Sequence, residues 1–317
     1  MKKSIIILLL GIKFIVYSVA TETLKNSIQF ATIEKATALL NVNDIYTDNW
    51  SRFDIDSRVQ RNNSTKEEQF KNMISQLRTW SAAEKERINE QLEIIDKTIN
   101  DNGYKLNLPK EIILIKSTLK DEGGADGYTR GNCIVLEDKL MKMDDANLQK
   151  LLIHEVFHIL TRFDSVFRKD MYSIIGFTIM NEVAYPENLK KYKLSNPDAP
   201  RKDSYITLKK DGTPVECMMI LYSDRPYAGG SFFEYLNIGL LKLKGIDKKE
   251  IDYDAAGQAI IYKIDEVTEF FEQIGFNTQY IIDPEEALAN NFVFAITNKK
   301  RLPSPAIVSK IQDRLKK

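Results

Sequence analysis

The run His154-Glu155-Val156-Phe157-His158 constrains this chain more than any other stretch. On a helix, residues four apart stand on one face, so both imidazoles can reach one metal ion while Glu155, one step round, meets a water held there. The chain has two histidines in all, and both fall in this run. A pattern this short arises by chance in roughly one per cent of unrelated chains, so its context matters. Asp144-Asp145 suit a helix start, and Leu148, Leu152, Val156, Ile159 and Phe163 recur as an apolar stripe with His154 and His158 off it. The spacing predicts a helix over about 145–163. Without a metal, two buried rings and one carboxylate would need hydrogen bonds alone to offset their desolvation.

The chain of 317 residues carries 45 basic and 45 acidic side chains. That balance argues against a nucleic-acid binder held by bulk electrostatics, and no nucleic-acid partner is expected. Lys2-Lys3, the largely apolar run Ile5 to Ala20 and the small residues Ser18-Val19-Ala20 match a cleavable signal peptide over residues 1–20. The mature chain would begin at Thr21, secreted or periplasmic, with no membrane association after cleavage. Export leaves Cys133 and Cys217 in an oxidising place, where they pair or stand as separate buried thiols. They make no structural zinc site, since no C-x-x-C is present.

Residues 21–103 read as an N-terminal helical region. A helix is expected near Ile33 to Leu40, and Thr65 to Glu68 and Ser81 to Glu84 both match the S/T-x-x-E capping box. Each box precedes an apolar stripe, Phe70, Met73, Ile74 and Leu77 in the first and Ile88, Leu92, Ile95 and Ile99 in the second, which predicts an antiparallel helical pair. Ile112 to Ile115 reads as a buried strand and Ile134 to Leu136 as another, with a glycine-rich loop between them. Met171 to Met180 and Ala255 to Gly275 read as helices. Tyr205 to Leu208 and Val215 to Tyr222 form a hairpin through Asp211-Gly212, Asn196-Pro197-Asp198-Ala199-Pro200 is a rigid loop, and Ser304 and Pro305 start a last helix.

A catalytic zinc takes three protein ligands and leaves a position to water. With no further histidine, the third is a carboxylate or, less readily, Cys133 or Cys217. Asp164 lies six residues past His158, but Thr161 occupies the place where a sharp turn wants glycine. Glu182 follows Asn181, and Glu285 and Glu286 open a helix expected over about 284–296 behind Asp283 and Pro284. Read without a metal, Glu286 is the capping-box partner of Asp283.

The motif resembles that of the zincin metallopeptidases, and strand, glycine-rich loop, strand and metal helix resemble their amino-terminal lobe. Pro284 to Asn290 resembles the gluzincin helix that carries the third ligand, a glutamate followed four residues later by an acid that orients a zinc histidine. Here the pair is Glu286 and Asn290. The resemblance implies an α+β, zincin-like two-lobed fold, predominantly helical, with a small amino-terminal-lobe sheet and an inserted β-hairpin, its catalytic domain spanning 104–317. It implies Zn2+ on His154, His158 and Glu286, with Glu182 next in preference and then Asp164 or Glu285. It further implies Glu155 as general base, a peptide or protein substrate, and a substrate-binding edge strand, for which Gly131 to Leu136 is the candidate. A phenol to stabilise the transition state is sought among Tyr222, Tyr227 and Tyr235. The alternatives are a zincin-fold binding protein without turnover and a zinc amidohydrolase acting on a non-peptide substrate.

Overall fold

The structure is a computed structural model that describes residues 23–317, so the segment read as a signal peptide lies outside the described residues. The first half contains α1 (Leu24–Ser27), β1 (Ile28–Phe30), α2 (Ile33–Leu40), α3 (Arg52–Val59), α4 (Lys66–Ser75), β2 (Leu77–Arg78), α5 (Ala82–Asp101), β3 (Ile112–Ser117), β4 (Gly127–Arg130), β5 (Cys133–Glu137) and α6 (Asp145–Phe163). The second contains α7 (Ser165–Ile174), β6 (Phe177–Ile179), α8 (Glu187–Lys190), β7 (Ser204–Lys210), β8 (Thr213–Tyr222), β9 (Asn237–Lys244), β10 (Glu250–Ile251), β11 (Ile261–Tyr262), α9 (Phe270–Ile274), α10 (Pro284–Ile296) and α11 (Pro305–Leu315). The class is α+β. Among the described residues no helix is long and apolar enough to cross a membrane.

The first sheet runs β1-β3-β5-β4, with β2 also on β3. β1, β3 and β5 are parallel, and β4 is an antiparallel edge. Helices cover both faces, which is why Ile112 to Ile115 is a continuous apolar run instead of an alternating one. Ile112, Leu114, Ile134 and Leu136 pack with residues of α5 and α6, while Ile113, Ile115, Cys133 and Val135 pack with residues of α2 and α4. This placement corrects the expected helical pair. Both capping boxes form, but Met73 of α4 and Ile88, Leu92, Ile95 and Ile99 of α5 belong to cores on opposite faces of the sheet, because β2 intervenes and pairs with β3.

The second sheet, β10-β9-β8-β7-β6 with β11 on β9, is antiparallel throughout. Its central hairpin turns at Asp211 and Gly212, which take φ values of 50° and 78°, as a two-residue turn matched to strand twist requires. Two helix expectations fail here. Met171 to Met180 divides between the end of α7 and β6, broken at Gly176 (φ 83°). Ala255 to Gly275 is α-helical only over α9, with a 3-10 turn at Ile264–Glu266, since Ile261 and Tyr262 join β9 as β11. Cys133 and Cys217 are separate buried free thiols in different sheets.

The metal-motif helix is anchored from within the motif. Phe157, completely buried, meets Phe292 of α10 at 5.4 Å between ring centroids and Phe167 of α7 at 6.0 Å. α10 is buried almost all round, and Ala287, Ala289 and Ala295 leave room for close helix packing. Its first turn therefore lies beside His154 and His158.

Candidate metal centre

Among the described residues, His154, His158 and Glu286 form a group whose donor atoms all lie within 4.8 Å of one another, and Glu155, His158 and Asp198 form a second. His154 Nε2 stands 3.1 Å and His158 Nε2 3.7 Å from the same oxygen, Glu286 Oε2. Ligand atoms at about 2.0–2.1 Å from a tetrahedral zinc are separated by about 3.3 Å, so these three fit one ion. A second observation agrees with that fit. His158 is completely buried, yet its Nε2 has no hydrogen-bond partner, and a buried polar atom left so is costly unless something else meets it.

Burial pushes the His158 pKa well below its ordinary value, which keeps the ring neutral and able to offer a lone pair. Burial also opposes protonation of His154, but the Glu286 carboxylate outweighs it and raises that ring. Glu286, despite burial, is held below the ordinary glutamate range by His154 and His158, and Asn196 Nδ2 donates to its Oε1 at 2.6 Å. Its carboxylate thus turns to the histidines, whereas Asp283 caps α10 by accepting from Glu285 N at 3.1 Å.

Asn290 does not take the orienting role expected of it. Its side-chain amide donates to the Glu286 carbonyl at 3.3 Å. Glu285 stands in its stead: Oε1 is 3.2 Å from His158 Nδ1 and also accepts from Thr161 Oγ1, while Oε2 accepts from Tyr172 OH at 2.7 Å. A proton on Nδ1 directed at Glu285 leaves Nε2 free for a metal. The other carboxylates weighed as third ligand are engaged elsewhere. Glu182 accepts from Lys202 N, and Asp164 caps α7 through Val166 N and Phe167 N.

Glu155 is buried beneath β4. Thr129 Oγ1 lies 2.8 Å from its Oε2, and burial pushes its pKa to about 8 against that hydrogen bond. Gly127 makes room for it, since a Cβ there would stand 3.1 Å from Glu155 Oε1. The edge strand is β4, not Gly131 to Leu136, whose Gly131 and Asn132 form the turn after β4 and whose Cys133 to Leu136 belong to β5 between β3 and β4. Thr129, Arg162 and Asp198 are site residues that motif reading missed. The 196–200 loop was legible as a rigid segment, but nothing local says where it docks. Asp198 Oδ1 accepts from Thr129 N at 2.6 Å, and Arg162 Nη2 donates to the carbonyls of Thr129, Pro197 and Asp198.

The three tyrosines expected near the reaction do not face it together. Tyr227 and Tyr235 donate to the carbonyls of Gly230 and Gly229 and pack with Phe53, and Tyr222 lies in β8. Tyr280, 43% exposed as a whole residue, lines a cavity with Gly127, Asn196 and Asp198, and desolvation of its phenol, then the charges of Glu286, Asp198 and Glu155, raise it above the ordinary range. Compared with family models, curated proteins and solved structures, the chain matches none of them.

Proposed function

We propose that this chain is an exported zincin-type zinc metallopeptidase that hydrolyses peptide bonds. The observation that carries the reading is the convergence of His154 Nε2, His158 Nε2 and Glu286 Oε2, with Glu155 on the next position of the same helix. Zinc held by those three residues would polarise the scissile carbonyl and acidify the attacking water. Glu155, held by Thr129 beside the two histidines, is the base that would accept the water proton and pass it to the leaving amine. Tyr280, which lines a cavity with Gly127, Asn196 and Asp198, is the phenol we assign to donate to the oxygen on which charge develops. β4 is the edge strand whose outward backbone groups an extended substrate would pair with.

One feature favours a second reading, a zincin-fold protein that binds without turnover: Asp198 and Arg162 already occupy the backbone N–H and C=O of Thr129 on that edge. A broad peptide-library digest separates the two. The peptidase reading expects cleavage by zinc-loaded protein and loss of roughly 10²- to 10⁴-fold in Glu155→Gln with zinc retained. Zinc-loaded protein that cleaves nothing in the library would leave the binding reading.

A further inference from the structure

We propose that the cavity between residues 45–52, 182–187 and 190–202 binds a small organic anion, its negative group meeting Lys193 and its apolar part lying on Ile45 and Trp50. The cavity, about 730 Å³, is of a size that takes small molecules. None of His154, Glu155, His158 and Glu286 lines it, so this site does not rest on the metal reading. Most charges in its wall already have partners. Arg52 pairs with Asp56 at 2.6 Å, Lys202 with Asp283 at 3.0 Å and Lys190 with Glu187 at 3.4 Å, while Asp48 meets Lys66 at 3.1 Å and Glu182 accepts from Lys202 N at 2.6 Å. Lys191 and Lys193 are left, and Lys191 is exposed, with its charge in water.

Lys193 is half-buried, and its Nζ makes no hydrogen bond or ion pair; it lies 5.4 Å from the centroid of the Tyr185 ring. Burial holds its pKa down to about 8. A cation taken partly out of water without a counter-ion is costly, and an anion entering the cavity would offset that cost. The backbone beneath the side chain is fixed, since Ser51 Oγ donates to Lys193 O at 2.6 Å and Lys193 bridges to Tyr222. Beside this charge the wall is apolar. Ile45 is 41% exposed, and Trp50, whose buried indole N–H also has no partner, lines the same space. Inorganic phosphate would use the ammonium alone, whereas a carboxylate on an aromatic or aliphatic body uses charge and apolar wall together.

Sodium benzoate, at millimolar concentrations and constant ionic strength, tests this by calorimetry and tryptophan emission. Trp50 is one of two tryptophans, and the other, Trp80, packs against Phe30 away from this cavity. Benzoate is expected to bind saturably and to shift the emission. Benzyl alcohol, a ring without the charge, and inorganic phosphate, a charge without the ring, should each bind at least 10-fold more weakly. Lys193→Met, which keeps the apolar stem and removes the ammonium, should weaken benzoate at least 10-fold without loss of thermal stability, while Lys191→Met stays near wild type. Should Lys193→Met fail to fold, Lys193→Gln carries the same readouts. The His154→Ala, His158→Ala variant should bind benzoate as the wild type does, whatever its zinc content. Absence of a benzoate response, benzyl alcohol or phosphate binding as tightly as benzoate, or wild-type benzoate affinity in the Lys193 variant each overturns the proposal.

Discussion

Glu285 Oε1 lies 3.2 Å from His158 Nδ1, on the side of the ring opposite the nitrogen that has no partner. The contact sets which nitrogen carries the proton, so Glu285 governs His158 without itself facing the proposed ion. Glu285→Gln is expected to lower zinc affinity about 10- to 100-fold, the usual cost of losing an acceptor behind a ligating histidine. Asn290→Ala, whose amide only meets a helix carbonyl, should stay near wild type. Chelator competition on both variants checks this, and a larger loss in Asn290→Ala would reverse the assignment.

Glu286 should behave differently from every other carboxylate once considered for the third position. Glu286→Gln is expected to collapse zinc binding with modest change in the melting of the metal-free protein, because its carboxylate meets the two histidines and Asn196, not the helix cap. Glu182→Gln and Asp164→Asn should hold zinc as the wild type does. Collapse in either of these beside an unaffected Glu286→Gln would relocate the site.

Gly127 tests how closely β4 and Glu155 fit. A Cβ at this position would stand 3.1 Å from Glu155 Oε1 and 3.3 Å from both Leu136 Cδ2 and Leu151 Cδ1. Gly127→Val, which adds two further methyl groups, should displace the carboxylate while leaving His154 and His158 in place. A general base misplaced by about 1 Å can cost on the order of 10²-fold. We therefore expect peptide turnover to fall by that factor at unchanged zinc content. Full turnover in Gly127→Val would detach Glu155 from the reaction.

Away from the centre, Asp121 gives the fold a pH dependence. It is 1% exposed, neither carboxylate oxygen has a hydrogen-bond partner, and burial followed by the neighbouring Glu122 charge pushes its pKa to about 8. The folded chain binds this proton more tightly than the unfolded chain. Its contribution is therefore complete below pH about 4 and is lost as pH rises toward about 8. Asp121→Asn cannot ionise, so its denaturant stability should rise relative to wild type across that window, by on the order of a few kcal/mol at most. Parallel stability profiles for the two proteins between pH 5 and 8.5 would show that Asp121 does not carry the effect.

What the sequence determined by itself is local. The boundaries 145–163 and 284–296 were readable, and the structure's α6 and α10 span Asp145–Phe163 and Pro284–Ile296. Caps, a proline at the first turn and apolar periodicity all act within a few residues. The hairpin turn at Asp211-Gly212 was readable for the same reason. Periodicity misled where it lacked a boundary signal: Ala255 to Gly275 read as one long helix, but pairing of β11 with β9 claims part of that segment. The tertiary structure decided everything that depends on strand order and docking. It made Gly127 to Arg130 the edge strand, separated α4 from α5 across a sheet, and exchanged Asn290 for Glu285 behind His158. Asp198, 40 residues beyond His158, reaches the centre through Thr129 N and Arg162. No spacing rule could have named it, because its position comes from how a loop packs against a strand and a helix distant from it in sequence.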